Sequence, residues 1–159
     1  MKPSEFAARL GRNIESKADV RRILNQNVLN EIGQTILEEM QASIEQGSSP
    51  IKGRGKFPRY KNPDKYPGDR KPHRPVNLYL TGQMLSSLRY SINKAKVAVR
   101  IFYANRKAQL KELGHREGAN GQPSRPTIPN DDEALNQTIS KRVQELINQA
   151  VRQASLTWK

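Results

Sequence analysis

Apolar residues recur at helical intervals over a long stretch near the start of the chain. From Val20 to Ile44 they are spaced by four residues over about seven turns, and a Gly-Ser-Ser-Pro sequence follows at Gly47. This pattern predicts one long helix over residues 19–47. Because a four-residue interval overshoots a helical turn by about 40°, the apolar stripe winds around the helix. Either one end of the stripe meets the protein's own sheet and the other a neighbouring subunit, or the helix curves around its own core.

A shorter helical pattern precedes this long helix. Phe6, Leu10 and Ile14 are spaced by four residues, which predicts a helical arm over residues 1–18. A Ser-Lys-Ala-Asp sequence that begins at Ser16 then fits a loose capping box, a signal for a fresh helix start. The N-terminal part of the chain therefore divides into an arm and the long helix.

A third helical pattern lies near the end of the chain. Apolar residues with helical spacing run from Leu135 to Ala154, which predicts a helix over residues 130–155. Asn130 is the expected N-cap, and the acidic residues that follow it, beginning with Asp131, suit the positive end of a helix dipole.

Short elements are predicted between these helices, over residues 77–129. Alternating apolar and β-branched residues make 97–103 the strongest strand candidate, and 77–80 is a shorter one. The spacing of apolar residues predicts a short central helix over 83–92. One or two further helical turns are expected over 104–113, ending at a glycine.

These elements together predict an α+β fold without internal repeats. A chain of 159 residues is long enough for one domain and too short for two independent cores. We expect a small antiparallel sheet flanked by a long N-terminal helix, a short central helix and a C-terminal helix. A long basic extended loop over residues 48–76 would join the long helix to the first strand.

This basic loop carries much of the excess positive charge. The chain has 28 Lys and Arg against 15 Asp and Glu, a net charge of +13. Between Pro50 and Pro75, nine basic residues stand against two acidic ones, and six prolines exclude a continuous helix. The basic residues are the candidate contact site: Lys52, Arg54, Lys56, Arg59, Lys61, Lys65, Arg70, Lys71 and Arg74.

The same loop places Phe57, Tyr60 and Tyr66 among its cations. Charge mixed with aromatic side chains favours an arm that contacts phosphates or an acidic protein surface. The alternative is a flexible, solvated loop that only keeps the protein soluble. Contact with nucleic acid through such a loop would be sensitive to salt and indifferent to base sequence.

The composition argues against most site chemistry. With no cysteine and only two histidines, the chain has no disulfide, no thiolate metal ligand and no cysteine nucleophile. His115 and Glu117 match one fragment of the zinc-deaminase signature, whose cysteine pair is missing. We therefore expect no enzymatic activity, no metal and no cofactor. Apolar runs are far shorter than the ~20 residues that span a bilayer, so we expect synthesis in the cytoplasm and no membrane contact.

The middle of the chain also contains a recognisable order of motifs. Its members are KFPRY at 56–60, Tyr66, NLYLTGQMLSSL at 77–88, the strand candidate 97–103, a segment ending near Gly114, and Arg125-Pro126. This order, over residues 50–155, resembles that of tailed-bacteriophage neck and tail-completion proteins. The predicted N-terminal arm is additional to the family pattern. Thr127 stands where the family has a bulky residue, so local packing there should differ.

The resemblance implies a structural virion protein of the head–tail junction. Such a neck, tail-completion or tail-terminator-like subunit forms a ring, typically hexameric, that joins or seals the connector and tail around the DNA channel. Its implied partners are further copies of itself, adjacent connector or head-closure and tail-tube proteins, and phage DNA in the lumen. Thr81 would cap the short helix, Gly82 would allow a tight turn, and Arg125 and Pro126 would be structural.

A second hypothesis comes from charge alone. A net charge of +13 is also typical of a sequence-nonspecific nucleic-acid-binding protein. The chain contains no RNA-recognition aromatic motif, zinc finger or helix-turn-helix pattern, so no motif supports this alternative.

Overall fold

The computed structural model describes residues 17–61, 76, 78 and 83–156. Within these ranges the chain folds as α+β, with four α-helices and a two-stranded antiparallel sheet. The predicted fold class is therefore confirmed. Residues 1–16 of the predicted arm, most of the strand candidate 77–80, and Thr81 and Gly82 lie outside the described residues.

The long N-terminal helical pattern forms two helices, not one. Helix α1 spans Lys17–Ile23 and helix α2 spans Gln26–Glu45. Between them, the backbone of Asn25 is extended, and its side-chain oxygen accepts hydrogen bonds from the backbone amides of Asn27 and Val28. The prediction of a continuous helix over 19–47 is wrong because asparagine in this geometry begins a new helix.

The segment predicted as a short central helix, 83–92, forms a turn and a strand. A 3₁₀ turn spans Leu85–Ser87, and strand β1 spans Leu88–Asn93. Apolar and polar residues alternate along β1, and burial alternates with them. This period of two, which the helical interpretation overlooked, is what a strand with one covered face requires.

The strand predicted at 97–103 is confirmed. Strand β2 spans Ala98–Tyr103 and pairs antiparallel with β1, with Leu88 opposite Tyr103 and Asn93 opposite Ala98. The hairpin therefore presents one apolar face to the core and one polar face outward.

Two further helices complete the described fold. Helix α3 spans Arg106–Glu117, runs through Gly114 and ends at Gly118, whose φ of 67° is in the left-handed region. The predicted helical turns over 104–113 were therefore too short. Helix α4 spans Gln137–Leu156.

Asn136, not Asn130, caps helix α4. The Asn136 side-chain oxygen accepts a hydrogen bond from the backbone amide of Ile139 at 3.0 Å. Asn130 instead closes a turn in which its carbonyl oxygen accepts from the amide of Glu133, and its own amide donates to the Glu133 carboxylate. The predicted cap was wrong because the acidic residues after Asn130 belong to this turn and not to the first turn of the helix.

Helix α2 is the centre of the core. It packs against helix α4 and against both strands, while α1 packs on α4 and α3 on β2. The most deeply buried apolar side chains on α2 are Met40 and Ile44, which lie in one cluster with Leu88 and Ile139. The winding apolar stripe of α2 is thus covered largely within the chain, by the sheet on one side and by α4 on another.

The sheet approaches α2 closely at Gly33. A Cβ atom at this position would overlap Cδ2 of the Tyr90 ring and lie 2.9 Å from its Cγ, well inside van der Waals contact. Because Cγ is at the base of the ring, Tyr90 cannot relieve the clash by moving only its far end. The absence of a side chain at Gly33 therefore sets the distance between α2 and β1.

We expect Gly33→Ala to lower the free energy of unfolding by about 1–3 kcal/mol through overpacking, despite the higher helix propensity of alanine. In a Tyr90→Ala background the clash is gone. The same substitution should then be neutral or stabilise the protein by up to about 1 kcal/mol. Urea unfolding of the four proteins in this double-mutant cycle measures the coupling, and equal destabilisation in both backgrounds would contradict it.

Candidate functional site

Residues 48–61, the described part of the predicted basic loop, form a folded-back turn. Backbone bridges pair Ser48 with Lys56 and Ile51 with Leu135. Gly53 and Gly55 have φ values of 82° and 64°, a region that glycine adopts readily. The expectation of an extended loop is therefore wrong for this half, because backbone hydrogen bonds close the turn on itself and against the chain before α4. Residues 62–75 lie outside the described residues.

The two aromatic side chains of this turn point into the protein. Phe57 and Tyr60 are both buried and belong to the hydrophobic core cluster. The Tyr60 hydroxyl also accepts a hydrogen bond from the backbone amide of Leu78. These aromatics anchor the turn to the fold. Because both are buried, neither is available to dock onto a partner. Tyr66 lies outside the described residues.

A buried arginine fastens the end of this turn. Arg125 is only 2% exposed, and its guanidinium lies 5.0 Å from the centre of the Tyr60 ring. Its Nε donates to the carbonyl oxygen of Pro58 at 2.9 Å, and its Nη2 donates to that of Arg59 at 2.7 Å. The backbone of the basic turn is thereby held to the segment before α4.

The backbone around Arg125 is fixed as well. Its amide donates to the carbonyl oxygen of His115 on α3, and the carbonyl of Pro126 accepts from the hydroxyl of Ser49 at 3.0 Å. Arg125 and Pro126 therefore connect α3 with both ends of the described turn.

Next to this segment lies a buried polar network centred on Glu112. One carboxylate oxygen accepts from the backbone amides of Thr127 and Ile128, and the other accepts from the Thr127 hydroxyl. The hydroxyls of Tyr103 and Thr127 are 2.8 Å apart. Burial raises the pKa of both Glu112 and Tyr103 above their ordinary values, and the Thr127 hydrogen bonds oppose this rise. Both carboxylate oxygens are already bonded within the fold, which is the arrangement of a structural group.

This network extends outward through ion pairs. Arg116 on α3 lies 3.7 Å from Glu112 and 2.9 Å from Glu133, and it also donates to the carbonyl oxygen of Ile128. Arg54 of the basic turn reaches Glu133 at 2.8 Å. A hydrogen bond from the Asn130 amide, joined by those from the two arginines, lowers the pKa of Glu133 to about 2. Arg54 is thus exposed on the turn and also forms an ion pair that ties the turn to the fold.

The structure places five of the predicted contact residues on one exposed turn. All five are exposed: Lys52, Arg54, Lys56, Arg59 and Lys61. The other four, Lys65, Arg70, Lys71 and Arg74, lie outside the described residues. Of the exposed five, only Arg54 has an ion pair with an acid among the described residues. The turn therefore presents largely uncompensated positive charge from a fixed backbone.

Sequence reasoning missed the polar groups that hold this turn. The four-residue spacing of Glu112 and Arg116 on a helix was a detectable sign of an ion pair. No local pattern pointed to the pairing of Arg54 with Glu133, because 79 residues separate them in the chain.

Among the described residues, no three His, Cys, Asp or Glu side chains come together as a possible metal site. None of the helices described here has the length and apolar character needed to cross a membrane. Comparisons with protein-family profiles, curated proteins and solved structures find no match to the chain.

Replacing Arg125 with methionine should detach the basic turn from the fold. The substitution keeps much of the apolar stem but leaves the carbonyls of Pro58 and Arg59 without their donor. We expect a loss of about 2–4 kcal/mol in unfolding free energy and faster tryptic cleavage between residues 52 and 61. The exposed Arg106→Met serves as the control. Unchanged cleavage in Arg125→Met would contradict the anchoring role.

The low pKa of Glu133 predicts an acid-dependent loss of stability. A carboxylate whose folded pKa of about 2 lies below its ordinary value of 4.5 stabilises the fold above the latter pH, and this contribution disappears as pH falls toward 2. The stability difference between wild type and Glu133→Gln should therefore shrink over that interval. Glu112, whose pKa is raised, acts with the opposite sign, but it is present in both proteins and cancels. A pH-independent difference in urea unfolding would contradict this assignment.

Proposed function

We propose that the protein is a structural subunit of the head–tail junction of a tailed bacteriophage. In this role it forms a ring, typically hexameric, that joins or seals the connector and tail around the DNA channel. The motif order over residues 50–155 suggests the class of protein. The observation that carries the contact role is the anchored turn 48–61, which holds its aromatic side chains inside and its cations outside.

The geometry of this turn supports a contact surface over a passive solvated loop. A loop that only maintains solubility needs no fixed backbone. Here Arg125 binds two of the turn's carbonyls, and Phe57 and Tyr60 are buried beneath it. A prearranged group of cations loses less conformational entropy on binding than a mobile one. The turn is therefore suited to an anionic partner, either DNA in the channel or an acidic face of an adjacent ring.

An exposed apolar pair supports contact with another protein subunit. Leu110 and Leu113 on α3 are 53% and 48% exposed, and they are three residues apart on one helical face. Two neighbouring leucines in water gain free energy when a partner covers them. Assembly of copies of this chain through α3 is consistent with the proposed ring.

The alternative is a sequence-nonspecific nucleic-acid-binding protein, which the net charge of +13 favours. The two functions differ in how tightly the free protein binds. Nanomolar binding that tolerates moderate salt would favour the dedicated binder. Weak binding that collapses with salt fits a channel lining.

A stop codon early in this gene, in the phage that carries it, tests the proposed function directly. We expect negative-stain images of the lysate to show DNA-filled heads lying apart from complete tails, because the joining subunit is missing. Empty heads would move the role to head closure. Normal infectious particles would overturn the head–tail proposal and favour the nucleic-acid alternative.

Complementation of the stop mutant then isolates the turn. A plasmid copy with Lys52, Lys56, Arg59 and Lys61 changed to glutamine should fold but fail to restore joining. Arg54 is kept because its pair with Glu133 supports the fold. The matched control removes four exposed cations elsewhere, at Lys94, Lys96, Arg106 and Lys141, and so has the same net charge. Equal restoration by both copies would show that the turn makes no required contact.

A further inference from the structure

A second basic surface lies away from the predicted loop, in an open groove of about 510 Å³. The groove runs between the start of β1 and the N-terminal half of α3. Its charged lining consists of Arg89 from the strand and Lys107 and Lys111 from the helix, and none of its described lining residues is acidic. Three cations from two elements thus converge on one concave surface.

Arg89 is held in a fixed orientation at this groove. Its Nη1 donates to the carbonyl oxygens of Ser86 and Leu88, both at 2.7 Å. No acceptor for its Nε or Nη2 occurs among the described residues. A guanidinium fixed by one nitrogen, with further donors available, is suited to bind an oxyanion through paired hydrogen bonds.

The two lysines are placed unfavourably for the isolated fold. Lys107 and Lys111 are four residues apart on α3, where like charges repel each other. The N-terminal end of α3 carries the positive end of the helix dipole, which repels the lysines further. No acidic residue in the first turn of α3 offsets this repulsion. Neither lysine forms an ion pair with any described acid. An anion bound in the groove would compensate all of these charges at once.

We propose that this groove binds the phosphodiester backbone of double-stranded nucleic acid. A single small anion is best bound in an enclosed site. An open groove of this size is better suited to a charged polymer. None of its described lining residues is aromatic, so these residues offer no platform for stacking unpaired bases. Contact would be with phosphates only and independent of base sequence. Only the identity of the natural ligand rests on the head–tail proposal, which makes it the DNA in the channel.

Fluorescence anisotropy with a short labelled DNA duplex of random sequence tests this proposal. The double variant Lys107→Gln/Lys111→Gln should bind roughly tenfold or more weakly at low salt. Its log–log salt slope should decrease by about 2, one for each lost phosphate contact. The matched control is Lys94→Gln/Lys96→Gln, which removes the same charge from the exposed β1–β2 turn and should change both quantities much less.

A chemical footprint on the wild-type protein gives an independent reading should the variant be unstable. Lysine acetylation followed by mass spectrometry should show that the duplex protects Lys107 and Lys111 more than Lys94 and Lys96. Equal protection, or equal loss of binding in both double variants, would reduce the effect to net charge and overturn the proposal.

The competing ligand is an acidic protein segment, and poly-glutamate serves as its probe. Binding of poly-glutamate that requires Lys107 and Lys111, without such dependence for the duplex, would overturn the proposal in favour of a protein partner. If the groove does not bind the duplex, the head–tail proposal still stands as long as the stop mutant yields separate heads and tails. If the stop mutant instead yields normal infectious particles, the head–tail proposal falls, but the measured binding of the duplex to the groove is unaffected.

Discussion

The buried guanidinium of Arg125 constrains the shape of the basic turn, the surface that we propose contacts an anionic partner. A charged group out of water is tolerated only where its donors find acceptors, so Arg125 requires the carbonyls of Pro58 and Arg59 in its reach. Those carbonyls are available only if the turn folds back and buries Phe57 and Tyr60. One side chain near the end of the chain therefore fixes the backbone that displays the cations of the turn.

The neighbouring carboxylates extend the same constraint from the core to the surface. Glu112 satisfies the amides of the segment that follows Arg125, and Arg116 links this carboxylate to Glu133. Through Glu133 the chain of contacts reaches Arg54, which is partly exposed on the turn. Loss of Glu112 or Arg116 would leave the partners of that residue with unpaired polar groups in a water-poor setting, so the network holds α3, the turn and the chain before α4 as a unit.

Local patterns predicted the elements whose periodicity was unambiguous and failed where two signals competed. The strand at 97–103 alternates cleanly and was confirmed, whereas 83–92 contains both a helical spacing and the alternation that begins at Leu88. Asn25 and Asn136 act as caps through hydrogen bonds that a run of apolar residues does not reveal. The cations of the turn were identified from composition alone. Their anchoring was not, because Arg125 lies 66 and 67 residues from the carbonyls it binds.

The cations at the two ends of α3 differ in their surroundings, since one is paired within the fold and the other lines the open groove. Arg116 in its last turn is joined through Glu133 to the basic turn, and Lys107 in its first turn lines the groove. Nine residues separate Arg116 from Lys107, which places them about 14 Å apart along the axis and on opposite sides of the helix. A duplex in the groove would therefore meet Lys107 and Lys111, and the counterions released there would set the salt dependence of its binding. An acidic protein face would meet the same two lysines. Leu110 and Leu113 lie on the adjacent side of the helix, and DNA in the groove would leave these leucines uncovered, whereas a protein partner would bury them. The outward face of α3 is thus where contacts with DNA and with a neighbouring subunit can be distinguished, since only the second gains free energy from the leucines.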